Sequence, residues 1–249
     1  MRYKLFFRAK ENIILPLGYH QLLQSFVYKL VSDGNRQYAE ELHDVNCEGV
    51  KQFKFFSFGK IYSKQKRIAQ SEEGKKIEFD SKFWFSLGCM DSKMDKVLLE
   101  TLNHKKKFRL GIYEVELVKY QVYLYDGSEK IRIKMDSPIT VRRTYMDERG
   151  NKNTHYFTPD QLEFYDAVIS NAKEKFESFY GKIMPDLFFR RVLVNEKDKY
   201  VTRYKQFLIT GWHGTYELQG HPAVLRFLYY CGLGAKNSQG FGLFDIVAE

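Results

Sequence analysis

The sequence predicts an α+β protein made of two tandem ferredoxin-like (βαββαβ, RRM-like) domains, and three observations predict it. The order β-α-β-β-α-β can be read twice along the chain. The length of 249 residues is generous for one such unit and comfortable for two. The stretch Leu124-Tyr-Asp-Gly-Ser-Glu-Lys130 interrupts the pattern midway, so the domains are expected at residues 1–128 and 129–249.

The first unit opens on Met1–Lys10, which alternates basic and apolar residues as a strand does. Leu22, Leu23, Phe26, Val27, Leu30 and Val31 form a helical stripe that stops at Ser32-Asp33-Gly34. A short helix follows from Gln37 to His43. Strands are expected at Gln52–Phe58 and Lys76–Phe85, a helix at Met90–Leu102 and a strand at Ile112–Val118. The second unit is read as a strand at Pro138–Thr144 and a long helix from Pro159 to Tyr180. Strands at Phe188–Val194 and Tyr204–Leu218, a helix at Pro222–Tyr230 and a strand at Leu243–Val247 complete it.

Composition narrows the function classes. A content of 44% hydrophobic and 29% charged residues is that of a globular chain, and no apolar run approaches the ~18 residues of a spanning helix. The N-terminus lacks the unbroken apolar stretch of a secretory signal, so a cytoplasmic protein is expected. Cys47, Cys89 and Cys231 are too scattered for a disulfide framework, and no Cys-x-x-Cys or His-x-x-x-His spacing suggests a metal site. No cofactor is expected.

Forty Lys and Arg against 31 Asp and Glu leave a net charge of +9. Residues 51–150 hold 22 basic and 14 acidic side chains, so +8 of that excess lies there. With 21 Phe and 18 Tyr, the balance fits a protein that meets phosphate with cations and unpaired bases with rings; a solvated basic surface is the plainer alternative. A protein bound to an anionic membrane surface would need an amphipathic Lys/Arg helix, which the sequence lacks.

The most specific segment is Gly232-Leu-Gly-Ala-Lys-Asn-Ser-Gln-Gly-Phe-Gly242, four glycines around a polar centre before the last strand. Glycines permit positive φ and close approach, which can leave backbone N–H groups facing phosphate. The alternative is a tight helix-to-strand connection. The segment is not a nucleotide P-loop, since Gly-Lys-Ser/Thr and a following helix are missing.

This loop resembles the glycine-rich loop of the RAMP superfamily. Together with Tyr19–Leu30, Tyr38–Asp44 and Phe53–Phe58, it resembles the CRISPR-associated endoribonucleases that trim precursor transcripts into guide RNAs. Ser137–Val141 resembles the first strand of that family's second domain, and Thr210–Gly214 a later one.

The resemblance implies metal-independent cleavage of a repeat RNA by a tyrosine, a histidine and a lysine, matched here by Tyr28, His43 and Lys54; Lys51 is a rival for the lysine. RNA carries its own nucleophile, so the protein must move a proton from the 2′-OH, stabilise the phosphorane and protonate the 5′-oxygen. Imidazole exchanges protons near neutral pH, an ammonium offsets developing negative charge, and a phenol can orient the reacting groups.

Residues expected to hold RNA are Lys51, Arg142, Arg143, Gly234, Lys236, Asn237, Ser238 and Gly240. The expected partner is precursor CRISPR RNA, with other CRISPR interference subunits as a further possibility, on a monomer or homodimer. The rival function is a non-catalytic RNA-binding subunit of an interference complex. For His43 the plainer role is contact with a helix C-terminal dipole, for Tyr28 a place in the core, and for Lys54 a solvated strand residue.

Overall fold

The computed structural model describes residues 1–43, 53–71, 74–204 and 207–248. In chain order the first half contains β1 (Arg2–Ala9), β2 (Ile13–Pro16), α1 (His20–Gly34), α2 (Arg36–His43), β3 (Phe56–Phe58) and β4 (Tyr62–Ser63). It continues with β5 (Lys66–Ser71), β6 (Gly74–Phe79), β7 (Lys82–Cys89), α3 (Ser92–His104), β8 (Lys107–Leu110) and β9 (Tyr113–Tyr123). The main sheet runs β3-β7-β1-β9-β8, with β4 also on β7 and β1 antiparallel to both neighbours. That order, with the first strand between the third and fourth, is the ferredoxin-like arrangement.

The alternation read in Met1–Lys10 is what the sheet uses. Tyr3, Leu5 and Phe7 are buried with Phe83, Phe85 and Leu87 of β7, and the stripe of α1 (Leu23, Phe26, Val27, Leu30, Val31) closes over them in one core. Asp91 starts α3 by accepting the Lys93 backbone N–H at 2.8 Å, the usual side-chain cap of a helix N-terminus.

The second half contains β10 (Lys130–Met135), β11 (Arg142–Met146), β12 (Lys152–Tyr156), α4 (Leu162–Tyr180), β13 (Leu187–Leu193), β14 (Lys199–Tyr204) and β15 (Phe207–Trp212). β16 (Thr215–Gly220), α5 (Pro222–Cys231) and β17 (Phe244–Val247) complete it. Its sheet, β13-β16-β10-β17, has the same topology over a core that includes Ile133, Phe164, Val168, Tyr216 and Phe227.

Three expectations change. The first strand of the second half is Lys130–Met135, not Pro138–Thr144. Pro138 has no N–H to donate, Ile139 makes an isolated bridge to Trp212, and Arg142–Met146 leaves the sheet to pair with β12. The strand read as Tyr204–Leu218 takes in the last residue of β14 and then β15 and β16, which part at Gly214 with φ +108°. The strand read as Lys76–Phe85 likewise divides into β6 and β7. Among the described residues, no helix is long and apolar enough to cross a membrane.

The halves meet through several contacts. Arg2, 2% exposed, donates to Asp245 at 2.8 Å, Tyr62 donates to Asp136 at 2.7 Å, and Ser57 donates to the Phe241 carbonyl at 2.8 Å. Gly88 of β7 lies under the end of α5, where a Cβ would stand 2.4 Å from the Tyr230 carbonyl oxygen. Gly88→Val should therefore lower stability by about 1–3 kcal/mol, the range for overpacking a filled interface. A urea midpoint equal to that of the unsubstituted chain would show that the two halves part there without cost.

Candidate active site and RNA-contact loop

Helix α1 organises the site through residues spaced four apart, which share one helical face. His20 and Gln24 meet the glycine loop. The His20 Nδ1 faces the Gln239 carbonyl at 3.4 Å and Nε2 the Tyr200 hydroxyl at 3.2 Å, while the Gln24 amide donates to the Ser238 carbonyl at 2.8 Å. One turn further on is Tyr28. Its hydroxyl accepts from the Lys54 Nζ at 2.8 Å, and its ring lies edge-on to the His43 ring, with centroids 5.7 Å apart.

Each side chain is placed by its own element. Phe56 anchors β3 in the core and stands 5.9 Å from the Tyr28 ring, so Lys54, two residues earlier, is brought beside the phenol. His43 is the exposed last residue of α2, and its carbonyl accepts from Lys54 at 3.4 Å. Burial pushes the Tyr28 phenol well above its ordinary range, and nearby Tyr204 adds to this. The phenol thus stays protonated at neutral pH; with Lys54 donating to its oxygen, its own proton is available to a ligand. The structure brings Tyr28, His43 and Lys54 together. Lys51 lies outside the described residues.

The glycine loop turns most of its polarity inward. Asn237, 6% exposed, donates to the Leu233 and Phe241 carbonyls at 2.9 and 3.0 Å and accepts from Lys175 at 2.8 Å. The backbone N–H groups of Leu233, Ala235, Gln239, Gly240 and Gly242 all donate to carbonyls within the protein. The expectation that these amides cradle phosphate therefore fails for those residues, and the Asn237 amide is likewise committed inside. Gly234 and Gly240 are buried at positive φ. A Cβ would come within 2.8 Å of the Thr140 carbonyl oxygen at Gly234, and within 2.5 Å of the Phe58 ring at Gly240.

The half-buried residues of the loop are Ala235, Lys236, Ser238 and Gln239, of which Lys236 carries the charge. Burial lowers the Lys236 pKa, and the nearby Arg142 guanidinium lowers it further. Arg142 thus sits close to the loop; Arg143, next to it on the exposed hairpin, has no such tie.

Lys175 is the residue that sequence reasoning missed. It is 2% exposed on α4 and donates to the Gly232 and Gly234 carbonyls at 2.7 and 3.2 Å as well as to Asn237. The signal was there: Lys175 falls on the stripe of Phe164, Val168 and Ala172, where an apolar residue would be expected.

Behind the loop is a cavity of about 470 Å³ lined by His20, Lys60, Lys66, Tyr200, Arg203 and His213. Burial, with Lys60 nearby, lowers the His213 pKa to about 4, so that ring is neutral at physiological pH. Among the described residues, no group of histidine, cysteine and carboxylate side chains could hold a metal ion.

Comparison with known proteins covers the whole chain. The family model described as "CRISPR-associated protein Cas6, N-terminal" matches residues 14–122, and that described as "CRISPR associated protein Cas6, C-terminal" matches residues 119–246. The CRISPR-associated endoribonuclease Cas6 1 of Methanocaldococcus jannaschii is 27% identical over 98% of this chain and 91% of its own length. The CRISPR-associated endoribonuclease Cas6 of Pyrococcus furiosus is 24% identical over 93% and 83%. Among solved structures, a CRISPR associated protein Cas6 superposes with a TM-score of 0.79 at 24% identity, covering 100% of this chain and 99% of its own. One described as a RAMP protein binding different RNA substrates gives 0.81 at 17%, over the full length of both chains.

Removing the Lys175 ammonium would leave three buried acceptors without their donor. Lys175→Met should cost about 2–4 kcal/mol, since each unsatisfied buried group costs about 1–3 and the loop can partly relax. Thermal unfolding checks this, and a variant as stable as the parent would show that Asn237 alone fixes the loop.

Proposed function

The chain belongs to the Cas6 family of CRISPR-associated proteins, and on that premise we propose that it is an endoribonuclease that cuts repeat RNA within a CRISPR precursor transcript to release guide RNAs. The observation that carries this reading is the meeting of Tyr28, His43 and Lys54, with the phenol 2.8 Å from the ammonium and 5.7 Å from the imidazole between ring centroids.

The proposed reaction is a transesterification within the RNA. The ribose 2′-oxygen attacks the adjacent phosphorus and loses its proton; the bond from phosphorus to the 5′-oxygen breaks, and that oxygen takes up a proton. The products are a 2′,3′-cyclic phosphate and a 5′-hydroxyl, and no water is consumed. His43 is the proton carrier, exposed at the end of α2 where substrate can reach it. Lys54 carries the ammonium beside the phenol and stabilises charge on the phosphoryl oxygens. Tyr28, kept neutral by burial, orients the 2′-OH or the phosphate as a hydrogen-bond donor. Every step uses a group of the protein or of the RNA, so the proposed mechanism is independent of divalent metal. Lys236 and Arg142 are the proposed phosphate contacts beside the loop, with Arg143, Ser238 and Lys51 as further members of the RNA-binding set.

Single-turnover cleavage of a cognate repeat in excess chelator tests the reading. Cutting should persist, and should stop when the ribose just 5′ of the scissile phosphate is 2′-deoxy. His43→Ala should slow it by about 10²- to 10⁴-fold, the range for loss of a proton-transfer group, with little change in repeat affinity. A chemical step that requires divalent metal, or a folded His43→Ala protein of full activity, would reject the mechanism. Lys236→Ala should weaken binding and reduce its salt dependence by less than about one unit of slope, leaving the position of the cut unchanged.

A further inference from the structure

The proposed proton carrier stands at the end of a helix that cannot hold itself. Helix α2 has eight residues, of which Tyr38 and Ala39 are buried, and an isolated helix shorter than about 12 residues is marginal in water. Its place must come from what it is fastened to.

Two tethers run from α2 to the start of α3. The Tyr38 hydroxyl donates to Asp91 Oδ2 at 2.7 Å, while Oδ1 of the same carboxylate accepts the Lys93 and Met94 N–H groups at 2.8 and 3.3 Å. One carboxylate thus caps α3 and holds α2. Lys93 closes the second tether, its Nζ 2.8 Å from Glu41 and 4.5 Å from the centroid of the Tyr38 ring. Burial, and after it the Asp91 carboxylate, push the Tyr38 phenol up, so its hydroxyl stays a donor.

These tethers set a rotation as well as a position. Successive residues of an α-helix turn by about 100°, so Tyr38 and Glu41, three apart, share the side toward α3. His43, two residues past Glu41, lies about 200° further round, on the side where its ring meets that of Tyr28.

The base of the tethers is fixed by the sheet. Cys89, the last residue of β7, donates its backbone N–H to the Met1 carbonyl at 2.8 Å, and Met90 donates to the Phe55 carbonyl at 2.9 Å. Phe55 adjoins Lys54 in the chain. Met90 and Asp91 therefore hold, side by side, the segment that carries the lysine and the helix that carries the histidine.

We propose that Tyr38 and Asp91 are positioning residues for cleavage, through which the connection between β7 and α3 sets the rotation of α2 and holds the His43 imidazole beside Tyr28 and Lys54. The inference rests on the endonuclease reading above and adds to it the part of the protein that assembles the site.

Tyr38→Phe keeps the ring and removes the hydroxyl. It should slow single-turnover cleavage of the cognate repeat by about 10- to 100-fold, the effect of misplacing a reacting group by an ångström or less, with little change in repeat affinity. Because Tyr38 acts through His43, its substitution should lose this effect where the imidazole is gone: in a His43→Ala background, Tyr38→Phe should change the residual rate by less than about twofold. Hydrogen exchange reads the tether without cutting. Amides of α2 should exchange roughly 10- to 100-fold faster in Tyr38→Phe, as expected for loss of a hydrogen bond to a charged group, while those of α1 and α3 keep their rates. Glu40→Gln, at an exposed position of α2, is the control and should alter neither measurement. If Tyr38→Phe does not fold, Glu41→Lys, which sets like charges at Lys93, takes its place in both.

Unchanged α2 exchange, full cleavage in folded Tyr38→Phe, or additive losses in the doubly substituted protein would each overturn the inference, the last by giving Tyr38 a role apart from His43. The endonuclease reading fails by a different variant. A chain that does not cut, or a His43→Ala protein as active as the parent, removes that mechanism and this inference together, whereas a chain slowed by His43→Ala and indifferent to Tyr38→Phe keeps the mechanism and loses the tether.

Discussion

The structure depends on one buried ammonium. Lys175 crosses from α4 into the glycine loop and holds the Gly232 and Gly234 carbonyls and the Asn237 side chain at once. The Asn237 amide in turn ties Leu233 to Phe241. A cation so deeply buried is tolerable only when its donors are used, and here they close a loop that touches both halves. From that loop, Phe241 reaches Ser57 of β3, Ser238 reaches Gln24 of α1, and Gly242 donates to the Pro138 carbonyl. The loop belongs to the second half by sequence and serves as the joint between the two.

This joint divides labour between polar and apolar contacts. The cores of the two halves are separate clusters; Phe55 of the first half packs on Phe179 of the second with ring centroids 4.8 Å apart, and directional bonds and close backbone approaches fix the register around it. Gly240 shows how close these are: a Cβ there would stand 2.5 Å from the Phe58 ring of the first half. Such contacts fix a geometry more narrowly than hydrophobic burial does, which is non-directional. The candidate active site benefits, because its phenol is on a helix that the loop grips twice.

Much of the fold was legible in the chain. The stripe of α1 and the alternation of β1 follow from apolar spacing, and their buried faces are those the spacing selects. Lys130–Met135 carries the same alternation, and Pro138, with no N–H to donate, already argues against a strand at Pro138–Thr144; the Ile139 bridge to Trp212 that holds that segment exists only in three dimensions. For the candidate site, Tyr28, His43 and Lys54 stand out through family resemblance rather than periodicity; by spacing alone Tyr28 continues a core stripe. The inward turn of Asn237 could not be read at all, because its partner Lys175 is 62 residues away and a helical lysine is ordinarily a surface residue.

The stripe of His20, Gln24 and Tyr28 carries one more meaning. Eight residues of α-helix span about 12 Å, so the separation between loop and phenol is a rigid length, independent of which bases occupy it. On the proposed function, a strand that met both Lys236 and the phenol would run along the helix, and the distance between its two contacts would be measured by protein backbone. One residue inserted between Gln24 and Tyr28 would turn the phenol by about 100° around the axis and leave the loop where it was. Under that reading the helix would act as a ruler, with its zero mark where Gln24 meets the loop.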